Sequence, residues 1–195
     1  MAVVGAIAAA AVTATAFAAQ DGASPRNPPD ANVQSKVQTV DQRQAALFSV
    51  LRRPQRVGDA VATPMPGPYG ANLELARLIQ TAAGPVRVVP ASGHICLRAM
   101  DAVGPVWGCV RTDAAIEGKL ILSLRASDSS GQPAERADAV FALFPDQSVG
   151  ETVTDRAGNR STISQHENVS GIEDSDAQRL SFADDAGKRH TTEVP

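Results

Sequence analysis

Cys96 and Cys109, the only two cysteines of this 195-residue chain, stand thirteen positions apart in HICLRAMDAVGPVWGCV, a stretch that also holds its one tryptophan. Two thiolates need further ligands to hold a metal, and His94, His166 and His190 are spaced neither as HxxxH nor as HExxH. A redox centre would more often use a CxxC beside a helix, which is absent. A hairpin fits the spacing: if Cys96 faces Cys109, Arg98 faces Trp107, Met100 faces Pro105, and Asp101 to Gly104 make a four-residue loop, a common hairpin length. Period-two alternation then assigns Ile95, Leu97, Ala99, Val106 and Val110 to the opposite, core-facing side. Arg98 and Trp107 share the cysteine side, where the indole is either a packing lid over the disulfide or a candidate ligand platform with the guanidinium stacked on it. A structural disulfide closing so short a loop contributes about 3 kcal/mol in the chain-entropy model.

The compartment follows from the N-terminus. MAVVGAIAAAAVTATAFAA, residues 1–19, carries no charge and leads into the polar, proline-rich QDGASPRNPPD. As a helix, the eighteen residues Ala2 to Ala19 would reach about 27 Å, just short of a hydrocarbon core. Ala16-Phe17-Ala18 has the small-x-small form that export peptidases favour. A cleaved signal peptide, an uncleaved anchor and a buried core helix all remain open. No Lys or Arg precedes the apolar run, so a signal peptide would place the true start further upstream. Either membrane-related reading sends the rest of the chain to an oxidising, extracytoplasmic setting where disulfides persist. Residues 20–39 read as a flexible stalk.

Beyond the stalk, Asp41 is an N-cap with Gln44 as its capping-box partner, and Pro54 ends the helix at Arg53. Arg43, Arg52, Arg53 and Arg56 form a basic patch, read as cations complementing a helix C-terminus or as a phosphate or lipid-headgroup site. A second helix is expected over ANLELARLIQTAAG, residues 71–84, with Asn72 as N-cap and Gly84 as C-cap. The period then switches to alternating: a strand at 86–90, the cysteine hairpin, one helical turn at 112–118, and a strand at 119–126 with Leu120, Leu122 and Leu124 on one face. After the polar SDSSGQPAERAD, the segment DAVFALF is apolar on both faces and predicts a central strand or an interface between layers. DRAGNRST at 155–162 and DDAGKRHT at 184–191 match at an offset of 29 and predict two similar hairpins. Their ligand density is too low for calcium loops.

The expected fold is therefore α+β: two short N-terminal helices, then a β-rich antiparallel body, either a small sandwich or a single sheet, with one disulfide. Residues 40–126 form helices plus the stapled hairpin, and 138–195 an antiparallel hairpin tail. Only seven residues are aromatic, so Val, Leu, Ile and Ala must build a modest core. A net charge of −3 argues against a nucleic-acid footprint.

No GxSxG, HExxH, phosphate-binding GxxxxGK[ST] or helix-opening GxGxxG occurs, and no catalytic residue, metal or cofactor is predicted. Ser92-Gly93-His94 and His166-Glu167 set a hydroxyl or a carboxylate beside an imidazole, and both read as loops. Three short patterns, Phe48-Ser49-Val50-Leu51-Arg52-Arg53-Pro54, Phe144-Pro145-Asp146-Gln147-Ser148-Val149 and Glu167-Asn168-Val169, together with the export segment and the cysteine pair, make the chain resemble a loose group of uncharacterised exported proteins of high-GC Gram-positive bacteria. The resemblance implies export and a β-rich body, and no reaction. The expected function is a non-enzymatic exported or membrane-tethered domain that binds an unidentified envelope component or serves a structural role, touching the membrane only through its N-terminal segment. An extracytoplasmic hydrolase with a cryptic Ser/His site and a sensory ectodomain are the alternatives.

Overall fold

The computed structural model describes residues 40–59, 61, 67–125 and 137–195. The export segment expected at 1–19, the stalk expected at 20–39 and most of the polar loop expected after residue 126 lie outside them. The described chain is built of antiparallel β-sheets with a few short helices and one disulfide.

Helices α1 (Gln42–Leu47) and α2 (Ser49–Arg52) take the place of one continuous helix. Asp41 caps α1 by accepting the Arg43 N–H at 2.7 Å. Phe48 breaks the helix by turning extended, with φ −132°, and its ring is fully buried. Arg53 is extended ahead of Pro54, as the proline ring requires. Gln44 is not a capping-box partner. Its buried Nε2 donates to the carbonyls of Ala91 (3.0 Å) and His94 (2.6 Å) and to Thr112 Oγ1 (3.2 Å), pinning α1 to the sheet.

The helix expected over 71–84 does not form. Asn72 caps only a 3-10 turn, Leu73–Leu75, and the chain enters β1 (Arg77–Thr81), which turns through Gly84 into β2 (Gly84–Ala91). The apolar residues with helical spacing serve two cores on opposite sides of a sheet: Leu73 and Ala76 pack outside it, and Ile79 inside. Gly84 has φ +97°, and this left-handed backbone serves a hairpin turn as well as a helix cap. Strands β3 (His94–Met100) and β4 (Pro105–Arg111) follow in the expected register, with Cys96 opposite Cys109, Arg98 opposite Trp107 and Met100 opposite Pro105. Together β1-β2-β3-β4 make the first sheet.

The expected single helical turn is α3 (Thr112–Ile116). It leads to β5 (Ile121–Leu124) and β6 (Ala137–Leu143), which join β9 (Val169–Ser175) in a middle sheet ordered β5-β6-β9. The third sheet, ordered β11-β10-β7-β8, contains β7 (Val149–Asp155), β8 (Arg160–Thr162), β10 (Ala177–Ala183) and β11 (Arg189–Glu193).

These sheets stack in layers, which sets aside the single sheet that was one of the two forms expected. Between the first and middle sheets lie Ile79, Val86, Val88, Ile95 and Leu97, against Leu122, Ala139, Phe141 and Leu143, with Phe48, Val50 and Leu51 closing one end. Between the middle and third sheets lie Ile121, Val140 and Ala142, against Val153, Leu180 and Phe182. The alternation of β6 puts Ala139, Phe141 and Leu143 in one core and Val140 and Ala142 in the other, so DAVFALF is the central strand its two-sided apolar pattern predicts. Because β5 pairs with β6, residues 40–126 and 138–195 share one middle sheet.

Candidate functional site

The disulfide links Cys96 to Cys109 directly across β3 and β4, leaving no free cysteine. Cys96 lies on the outer face of the first sheet under a small apolar cover of Ala71, Leu73 and Ala76, with Trp107 and Cys109 packed at its margin. Trp107 packs at the margin of this cover and also carries Arg98, whose guanidinium carbon sits 5.6 Å from the ring centroid. Arg87 lies next to Arg98 across β2 and donates to the carbonyls of Asp59 (3.3 Å) and Gly58 (3.2 Å). Burial lowers the Arg98 pKa, and the Arg87 charge lowers it further. Among the described residues no carboxylate or hydrogen-bond acceptor meets Arg98. The arrangement presents a half-buried cation beside an aromatic ring, suited to a carboxylate or phosphate on a ligand that also has an apolar side.

The three short patterns of the resemblance converge in space. Asn168 Oδ1 accepts from Ser49 Oγ (2.7 Å) and the Val50 N–H (3.0 Å), and Asn168 Nδ2 donates to Asp146 Oδ1 (2.8 Å). Arg52 donates to Asp146 Oδ2 at 2.6 Å. Arg53 bridges Asp59 (2.7 Å) and Glu167 (2.6 Å), and Arg56 reaches Glu167 at 2.9 Å. Glu167 and Asn168 both hold left-handed backbone, φ 46° and 71°, a strain that these bonds hold in place. Burial pushes the Asp59 carboxyl up, but hydrogen bonds from Arg53 and from the Arg56 and Leu78 N–H groups outweigh it and hold the pKa at about 2. The cluster is a polar clamp that fastens residues 47–59 to the turns beside β6 and β9. The basic patch dissolves into it: Arg52, Arg53 and Arg56 pair as described, and Arg43 pairs with Asp113. Arg52 also donates to the Ala45 and Ala46 carbonyls, the helix-end role expected of it.

The three imidazoles have separate surroundings. His94 stacks on Tyr69 with ring centroids 4.2 Å apart, and its Nδ1 lies 2.9 Å from the Ser92 carbonyl. His190 stacks on Phe182 and lies 2.9 Å from Asp184 Oδ2. His166 borders an open groove of about 480 Å³ shared with Thr81, Ser164, Gln165, Gly171 and Glu173. Glu167, next to His166 in sequence, is taken by Arg53 and Arg56. Among the described residues no cluster of three His, Cys, Asp or Glu side chains is placed to hold a metal ion, and no helix is long and apolar enough to cross a membrane.

Sequence reasoning found Cys96, Cys109, Arg98 and Trp107 and missed Arg87 and Asp59. Arg87 was readable in principle, since it alternates with Val86 and Val88 on a predicted strand and so shares the cysteine face. Asp59 carried little local signal: Arg53 and Arg56 are near it in sequence, but Leu78 and Arg87 come from other elements. Comparison with protein-family models, with curated proteins and with solved structures finds no match to this chain.

Proposed function

We propose that this chain is an exported or membrane-tethered, non-enzymatic domain of the cell envelope, with a structural or binding role. The observation that carries the reading is the Cys96–Cys109 bridge: a structural disulfide using every cysteine of the chain belongs to oxidising compartments and is rare in the cytosol. A binding role draws support from Arg98, a cation held over Trp107 and left without an anionic partner among the described residues. Its ligand is an envelope component bearing a carboxylate or phosphate. The imidazoles lend little to a hydrolase: His94 and His190 are each packed on an aromatic ring.

Intact mass of the protein recovered from its own host, before and after reduction with alkylation, tests the compartment. The expected product starts near Ala19 or Gln20 if cleaved, or keeps its N-terminus if anchored, and in either case is two hydrogens lighter than its reduced form. A soluble full-length chain with free thiols overturns the reading. Trp107 is the only tryptophan, so its fluorescence reports occupancy of the platform directly, and Arg98→Ala should abolish any ligand-induced change.

A further inference from the structure

The outer face of the third sheet is as regular as its inner face. Register places Thr191, Ser181, Thr152 and Thr162 opposite one another on β11, β10, β7 and β8, one hydroxyl from each strand. Ser181 and Thr191 share a hydrogen bond of 3.0 Å, and Ser181 is itself buried, so the row presents the hydroxyls of Thr191, Thr152 and Thr162. At a strand spacing of about 4.8 Å, such a row is about 14 Å wide. One neighbouring row holds Glu193, Arg179, Thr154 and Arg160, and the other holds Arg189 opposite Ala183.

The two outer arginines are equivalent positions of the repeated hairpin: Arg160 follows the DRAGN turn as Arg189 follows the DDAGK turn, at the offset of 29. Since the hairpins pair through β7 and β10 running antiparallel, the repeat places these cations on opposite outer strands and toward opposite ends of the face. Arg160, Arg179 and Arg189 are all exposed. Arg179 lies 3.6 Å from Glu193, Arg160 donates to Thr152 Oγ1 at 3.3 Å, and Arg189 has no partner among the described residues. A shallow depression of about 300 Å³ joins Thr154, Arg160, Arg179, Ser181, Arg189 and Thr191.

From this face we infer a binding site for an anionic polysaccharide, a hydroxyl-rich chain with carboxylates at intervals. Three arginines against one glutamate make the face cationic on a chain whose net charge is −3, which is complementary to a polyanion. The row of hydroxyls calls for a partner rich in hydroxyls, because Thr and Ser both donate and accept. A flat face suits an extended polymer. No aromatic ring stands on it to stack bases, which disfavours single-stranded nucleic acid. The site is separate from the Arg98–Trp107 platform and needs the proposed compartment only for access to such a polymer.

The probe is polygalacturonate, with neutral dextran as control and vesicles containing phosphatidylglycerol as a competing surface. The full chain should bind polygalacturonate, with affinity falling as salt rises, and should not bind dextran. Arg160→Ser with Arg189→Ser should weaken binding about tenfold or more while leaving the thermal midpoint unchanged, because both side chains are exposed and have no ion pair among the described residues. Trp107 fluorescence should stay constant throughout. No binding by the wild type, binding to vesicles in preference to the polymer, or binding that survives the double variant would overturn the inference. Binding that quenches Trp107 and disappears in Arg98→Ala would move the ligand to the platform, defeating this inference while keeping the proposed function. Free thiols in the recovered protein would do the reverse.

Discussion

The first and third sheets have the same plan and opposite outer faces. Each has four antiparallel strands and packs its inner face on the middle sheet. Over the outer face of the first, the chain lays Ala71, Leu73 and Ala76, anchors them beside the Arg53–Asp59 pair and bridges two of the strands beneath with a disulfide. The outer face of the third carries Thr, Ser and Arg and has no comparable apolar cover among the described residues. The lesson concerns where each sheet gets its stability. The first depends on distant segments brought together by buried charge and sulfur, the third on local turn chemistry used twice.

If that contrast holds, the largest effect comes from Arg53→Met, which leaves the Asp59 carboxylate buried without its guanidinium. We expect a loss of about 3 to 5 kcal/mol in chemical denaturation; a loss below 1 kcal/mol would refute the clamp. The same pair predicts an acid limb. The Asp59 pKa of about 2 lies below its ordinary 3.8, so its contribution is complete above pH 4 and is lost as pH falls through about 2. That loss is on the order of 2 kcal/mol in the wild type and should shrink in the variant.

Next in size is the disulfide. Reduction, or Cys96→Ser with Cys109→Ser, should lower stability by about 3 kcal/mol and leave polymer binding by the third sheet unchanged. Oxidised and reduced forms that melt alike would remove the staple from the comparison.

The smallest effects belong to the paired turns. Asp155 Oδ1 accepts the Asn159 N–H and Asp184 Oδ1 accepts the Lys188 N–H, each at 2.8 Å, and the backbone bonds closing the two turns also correspond. Asp155→Ala and Asp184→Ala should each lower the thermal midpoint slightly, by similar amounts and by less than loss of the disulfide. Unequal shifts would show that the repeat is one of sequence and not of energetics.

Local features were legible in the sequence. The cysteine register, the DAVFALF strand and the repeated turns rest on spacing within a few residues, where period-two alternation and turn chemistry leave little freedom. The helix expected over 71–84 failed because its apolar residues answer to two cores, which one face cannot reveal. Gln44 was misread because a glutamine three residues after an N-cap has the same pattern whether it turns back to the cap or reaches, as here, to Ala91 and His94. Arg98 and Trp107 were visible as neighbours from the hairpin register, whereas the lack of an acceptor for Arg98 among the described residues is a property of the folded surroundings. The outer-face hydroxyl row needed the pairing of β7 with β10, and no local pattern encodes that long-range register.

β6 has a consequence for how this protein comes apart. Ala139, Phe141 and Leu143 belong to one core and Val140 and Ala142 to the other, so neither can melt without exposing a wall of its neighbour. The strand should act as a mechanical coupling, so that a sulfur-stapled half and an unstapled half are expected to unfold together in a single transition. Strengthening either half therefore raises the resistance of both, and the disulfide in the first sheet protects hairpins it does not touch.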